Sequence, residues 1–139
     1  MKKQGFTLIE LMVVIVIMGI LAAVAVPKLF AMIAKSKASE VGPAAGSYVH
    51  MQDAYIAETS TLGTSFKLIG YDTPSSNVFD YDYVGGDTWT ATPKNGALPD
   101  CSASWTVKSE LKSAKGKHTA TAGCTDLTPN FTQIGAGTL

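Results

Sequence analysis

Glu10 is the residue whose chemistry fits its surroundings least, a single acid inside the apolar run GFTLIELMVVIVIMGILAAVAVPKLF that begins at Gly5. A carboxylate placed in hydrocarbon costs about 2.5 kcal/mol or more unless a cation pairs with it. Glu10 therefore asks for a partner. Few other residues are spaced for chemistry. Cys101 and Cys124 are the only cysteines; they are too far apart for C-x-x-C redox chemistry, and with two distant histidines they form no zinc pattern. Asp80-x-Asp82 ahead of Gly85 is similar to a calcium loop. However, Val84 stands at a ligand position and Ala91 where a closing Glu belongs, so no metal is expected. Lys108, Lys112, Lys115 and Lys117 with His118 form a basic cluster between the cysteines. It is open to DNA, an anionic surface or neighbouring subunits, and a solvated loop is the simpler reading. Asn130-Phe131-Thr132 has glycosylation spacing, and His50 reads as a packed or capped histidine. There is no nucleophile elbow, P-loop or paired catalytic acid and base. Neither an enzyme nor a cofactor is expected.

The elements that must position these residues follow from length and hydropathy. The chain has 139 residues, with eleven lysines and eleven acids and no arginine. It is long enough for one small head beyond an apolar opening. Bulk charge gives no sign of a nucleic-acid partner. From Phe6 to Val26 a helix would reach roughly 30 Å, one hydrocarbon core. A secretory signal peptide is the competing reading, with Lys2 and Lys3 as its basic start and Ala23-Val24-Ala25 as its cleavage site. Against it stand Glu10 and the apolar character that continues through Leu29, Phe30, Met32 and Ile33.

A short basic leader ending in Gly5, then Phe6-Thr7-Leu8-Ile9-Glu10 and an unbroken apolar helix, resembles the prepilin signature of type IV pilins and of type II secretion pseudopilins. The match is dense over residues 1 to about 34; beyond them the chain is similar only in style. The resemblance implies cleavage by a prepilin peptidase between Gly5 and Phe6, N-methylation of Phe6, and assembly of the stems into a helical filament. Cleavage would remove Lys2 and Lys3 and create a new cation, the amine of Phe6. Glu10 of one subunit meeting that amine on a neighbour makes a head-to-tail contact that propagates. Such a pair sets register. Gly19 and Pro27 bracket the weakest part of the stem helix; the resemblance implies that this segment unwinds on assembly.

After Lys28 the pattern turns amphipathic. Ala34, Ala38, Val41, Ala45, Tyr48 or Val49, and Tyr55 or Ile56 mark a buried stripe, and a bend is expected at Gly42-Pro43. The helix should end near Glu58. Strands are expected at residues 66 to 71, 78 to 84, 88 to 93, 103 to 108 and 118 to 123, with Gly85-Gly86-Asp87 as a tight turn. The expected fold is α+β, a long N-terminal hydrophobic and amphipathic helix packed by a small antiparallel sheet. Outside the cytoplasm Cys101 and Cys124 should be bonded, closing a loop for about 3 kcal/mol; many type IV pilins also carry a C-terminal bridged loop.

The organisation read from this is a leader at 1–5, a transmembrane stem at 6–34 and a head at 35–139. The expected function is that of a type IV pilus subunit, a homo-oligomer handled by the peptidase and the assembly machinery. It would be stored as a single span in the bacterial cytoplasmic membrane and then displayed outside the cell. Alternatives are a type II secretion pseudopilin, or a secreted binding domain or enzyme released by signal peptidase. Adhesion, motility, DNA uptake and electron transport are not separated by the sequence.

Overall fold

The computed structural model describes residues 4–136. It divides into two compact units, one ending at Ala34 and the other beginning at Lys35. Helix α1 spans Leu8–Ala38 and passes through both Gly19 and Pro27 without interruption.

The expected bend at Gly42-Pro43 lies slightly earlier. Ser39 and Glu40 form a turn, and helix α2 resumes at Val41–Thr59. Pro43 explains the displacement: its ring crowds the carbonyl four residues back, that of Ser39, and supplies no N–H to it. Within the first turn of α2 the missing donor costs little, because those N–H groups have no intrahelical acceptor. Glu40 is used at this break. Its Oε1 accepts from the hydroxyls of Ser76 and of Tyr81, the latter at 3.0 Å, tying the loop before the sheet to the helix. α2 ends in Ser60, whose positive φ and N–H to the Ile56 carbonyl make a left-handed cap.

The expected strand at 66 to 71 is instead a helical turn, α3, at Phe66–Ile69. Ser65 caps it by accepting from the Leu68 N–H, and Gly70 stops it at φ 71°. The cap and stop override the β-rich composition, and only Ile69 is fully buried on α3.

Four strands follow, β1 at Phe79–Val84, β2 at Thr88–Pro93, β3 at Trp105–Lys112 and β4 at Lys115–Thr121. They form an antiparallel meander in the order β1-β2-β3-β4. Gly85 and Gly86 take the positive φ that the β1–β2 turn needs. β3 and β4 are longer than expected and join in a two-residue turn, Ser113-Ala114, with Lys112 opposite Lys115. Both turn residues have positive φ, a position that Gly or Asn normally fills. The lysine cluster read as a solvated loop is thus the outer face of a hairpin.

One face of the sheet lies against α2. Phe79, Trp89, Ala91, Trp105, Val107 and Ala120 are buried there with Val41, Ala45, Tyr48, Val49 and Ile56 of the helix. Tyr48 sits among Phe66, Tyr71, Tyr83 and Trp89 with ring centroids 5.9 to 6.4 Å away, the spacing at which aromatic rings attract. Cys101 and Cys124 are bonded. The bridge joins the segment before β3 to the segment after β4. Just beyond it, Trp105 Nε1 donates to Thr128 Oγ1 at 2.7 Å and Phe131 packs on Trp89.

Candidate functional site

The stem carries an apolar surface that nothing in its unit covers. Every large hydrophobic side chain from Leu8 to Ile33 is at least 40% exposed, and Phe6 is 90% exposed. A patch of that extent on a soluble monomer marks a membrane or protein contact. Among the described residues this is the one helix long and apolar enough to cross a membrane. Glu10 interrupts it. The Thr7 N–H donates to Glu10 Oε2 at 2.9 Å, and the Glu10 N–H donates to Thr7 Oγ1 at 3.3 Å. These reciprocal bonds are a capping box, which the spacing Thr7-x-x-Glu10 encodes. The box fixes the carboxylate at the start of α1, where the helix dipole favours negative charge. One oxygen, Oε2, is used by the box.

The head carries the second polar constellation, which sequence reasoning did not find. Asp53 and Tyr48 from α2, Ser109 from β3 and His118 from β4 form one chain of hydrogen bonds. His118 Nε2 lies 2.9 Å from Asp53 Oδ1, His118 Nδ1 lies 2.8 Å from Ser109 Oγ, and Ser109 Oγ lies 2.8 Å from Tyr48 OH. With the imidazole neutral, each donor points the same way: Tyr48 to Ser109, Ser109 to Nδ1, and Nε2–H to Asp53. Tyr83 OH extends the network by donating to the Gly63 carbonyl at 2.7 Å, and Gln52 Nε2 donates to the same carbonyl at 3.0 Å. Burial holds the phenols of Tyr48, Tyr71 and Tyr83 above the usual tyrosine range; Tyr81 is raised by burial and then by Glu40.

A serine, a histidine and an aspartate in hydrogen-bond sequence have the composition of a hydrolytic triad. Access rules out that chemistry. Ser109 is 1% exposed and the His118 side chain 0%, so no substrate carbonyl reaches the hydroxyl. Gly116 shows how tightly the chain is closed, because a Cβ there would stand 2.5 Å from Asp53 Oδ1 and 2.8 Å from His118 Nε2. The relay is a brace that pins α2 to β3 and β4.

Comparison with known proteins bears on the stem first. Residues 1–26 match the prokaryotic N-terminal methylation motif. The type IV major fimbrial protein FimA of Dichelobacter nodosus is 38% identical over 89 residues, 64% of this chain and 54% of FimA. The type IV major pilin protein PilA of Myxococcus xanthus is 35% identical over 80 residues, 58% of this chain and 36% of PilA. The chain thus spans about half or less of the length of these two relatives. The type IV narrow pilus major component PilA5 of Thermus thermophilus is 33% identical over 105 residues, covering 75% of this chain and 83% of PilA5. The chain belongs to the type IV pilin family. It is a structural protein rather than an enzyme.

Within this pilin the residues singled out from the sequence fall in separate places. Gly5 and Phe6 precede α1 and are exposed, while Gly19 and Pro27 lie inside it. The Cys101–Cys124 bridge is in the head. His50 is exposed rather than packed, and His118, grouped with the lysines by sequence, turns to the opposite face of β4 from them. Asn130 and Thr132 are exposed at a 3₁₀ turn, Phe131–Gln133.

Proposed function

We propose that this chain is the polymerising subunit of an extracellular type IV pilus. A leader of residues 1–5 is removed between Gly5 and Phe6, and Phe6 is N-methylated. The stem, residues 6–34, is stored as one span of the bacterial cytoplasmic membrane before it enters the filament core, and residues 35–139 form the displayed head. The observation that carries this reading is the run of outward apolar side chains from Leu8 to Ile33, broken by one carboxylate at Glu10. Lipid satisfies such a surface in storage, and other copies of the same surface satisfy it in a fibre. The new amine of Phe6 keeps its positive charge when methylated. The capping box holds Glu10 in place by one oxygen, leaving Oε1 to accept from the Phe6 amine of a neighbouring subunit.

The bonded Cys101–Cys124 pair favours a pilin over a type II secretion pseudopilin, because major pseudopilins usually lack that bridge. Prepilin peptidase and an assembly machine are the partners this reading requires. Gly19 and Pro27 mark the segment that gives way when stems exchange lipid for one another. Gly19→Ala with Pro27→Ala should yield stiffer fibres, and unchanged extensibility under load would remove that role from the segment.

Mass spectrometry of sheared surface filaments tests the reading as a whole. It should find this chain as the abundant component, beginning at methylated Phe6. A mature chain beginning at Val26, or no filament containing the protein, would refute it.

A further inference from the structure

The outer face of the sheet carries acids on its β1 edge and mainly lysines on the β3–β4 hairpin, where the one acid, Glu110, stands opposite Lys117. On β1, Asp80 and Asp82 face away from the core, and the burial pattern of the strand alternates accordingly. On the opposite edge, Lys115 and Lys117 of β4 share the solvent face, and Lys112 of β3 lies directly across from Lys115. Three strand spacings of about 4.8 Å lie between these columns across the sheet. Register also offsets them along the strands: Asp82 aligns through Thr90 and Thr106 with Thr121, four residues from Lys117 and six from Lys115, so the acids and the lysines stand about 20 Å or more apart. Between them lie the hydroxyls of Thr90 and Thr106 and, further along β3, the paired charges of Lys108 and Glu110.

The charges are only partly neutralised within the chain. Asp80 has an exposed contact to Lys94 at 3.7 Å, and Lys108 reaches Asp87 and Glu110 at 3.9 and 3.6 Å. Among the described residues, Asp82, Lys112, Lys115 and Lys117 have no oppositely charged atom within 4 Å. The hairpin tip that carries two of these lysines is held in a strained turn, since Ser113 and Ala114 both have positive φ, at about 1–2 kcal/mol per residue. That turn leaves Lys112 and Lys115 side by side at the end of the sheet.

We infer that the β1 edge of one head docks on the β3–β4 hairpin of a second copy of this chain, Asp80 and Asp82 facing Lys112, Lys115 and Lys117. The occupant follows from charge complementarity, because a face carrying both signs at opposite edges is complementary to itself when translated. A contact between two different patches is heterologous and repeats without closing, as a filament requires. The inference rests on the filament reading and adds head-to-head specificity to it. Exposed charges opposed in this way act mainly on association and register and weaken with salt.

The test uses the full-length chain as sole pilin in a pilus-assembling host. Three variants are compared with wild type: Asp80→Lys with Asp82→Lys, Lys112→Glu with Lys115→Glu and Lys117→Glu, and all five changes in one chain. Each single-sign variant should lower sheared-filament yield at least about tenfold, the size of a few exposed pairs turned repulsive. The five-fold swap should restore it. Filaments of wild type should also dissociate sooner in high salt than in low. A second set, lysine to glutamine at the same three positions, should show a smaller loss. Wild-type yield from both single-sign variants, or a swap no better than the worse of them, would overturn the docking while leaving the pilin reading intact. No filaments from wild type would instead remove the reading beneath it.

Discussion

Glu10 and Asp53 are both carboxylates set among apolar side chains, and they are satisfied in opposite ways. Among the described residues Glu10 hydrogen-bonds only to Thr7, in its own turn. Asp53 is met by a histidine sixty-five positions away. Around Glu10 the apolar side chains face outward; around Asp53 they face inward. The head closes its core within the chain through helix, sheet, bridge and polar relay; among the described residues Gln52 Oε1 is the one buried side-chain polar atom without a hydrogen bond, and the unpaired charges are at the surface. The stem is unfinished. Its polar group has spare capacity and its apolar surface has no cover in its own unit, so its stability depends on what surrounds it.

The largest effect that separates the two regions should come from Glu10→Ala. Removing one partner of a buried pair is costly, so filament yield should fall more than about tenfold while leader cleavage continues. Thermal melting of the head should be unchanged. A filament yield equal to wild type would merge the two regions again, by showing that Glu10 does nothing outside its own chain.

Next in size is the bridge. Cys101→Ser with Cys124→Ser should lower head stability by about 3 kcal/mol, read as a lower denaturation midpoint for the detergent-solubilised chain. Membrane insertion of the stem should be unaffected. A loss below about 0.5 kcal/mol would mean that the segments it joins are held by packing alone.

His118→Phe probes the relay. It strands Asp53 and Ser109 without their shared partner, at about 2 kcal/mol for the unpaired groups. Asp53→Asn keeps a hydrogen-bonding group in place and should cost less. If the two variants melted alike, the imidazole would not be the element that joins α2 to the hairpin.

The smallest effect is on alkaline pH. Burial raises the Tyr48 and Tyr71 phenols in the folded head, so they stay neutral after the unfolded chain begins to ionise near pH 10. The unfolded state then binds fewer protons than the folded one, and stability falls with rising pH. Stability should be level in this respect below pH 10 and decline above it, by up to about 1.4 kcal/mol per pH unit for each tyrosine. Tyr48→Phe should flatten the decline. A slope unchanged in that variant would remove Tyr48 from the explanation.

What could be read in advance from the sequence divides along the same line. The stem was legible because its signal is local: a continuous apolar run, Glu10 at its start and Gly5-Phe6 ahead of it. The β1–β2 hairpin was legible for the same reason, through alternation in VFDYDYV and the Gly85-Gly86 turn. The relay was not, since Ser109, His118 and Asp53 come from three elements and only register brings them together. Residues 66 to 71 misled because a serine cap and a glycine stop outweighed strand-like side chains. The β3–β4 hairpin was hidden by its turn, in which Ser113-Ala114 carries neither Gly nor Asn. The Thr7-x-x-Glu10 box was visible all along, masked by the stronger question of what Glu10 pairs with outside its own turn.

In a filament map at side-chain resolution, Glu10 should lie within hydrogen-bond distance of the methylated Phe6 amine of a neighbouring subunit, with the apolar side chains from Leu8 to Ile33 buried against other stems. Glu10 facing solvent, or bonded only within its own chain while the stems still pack together, would contradict that pairing.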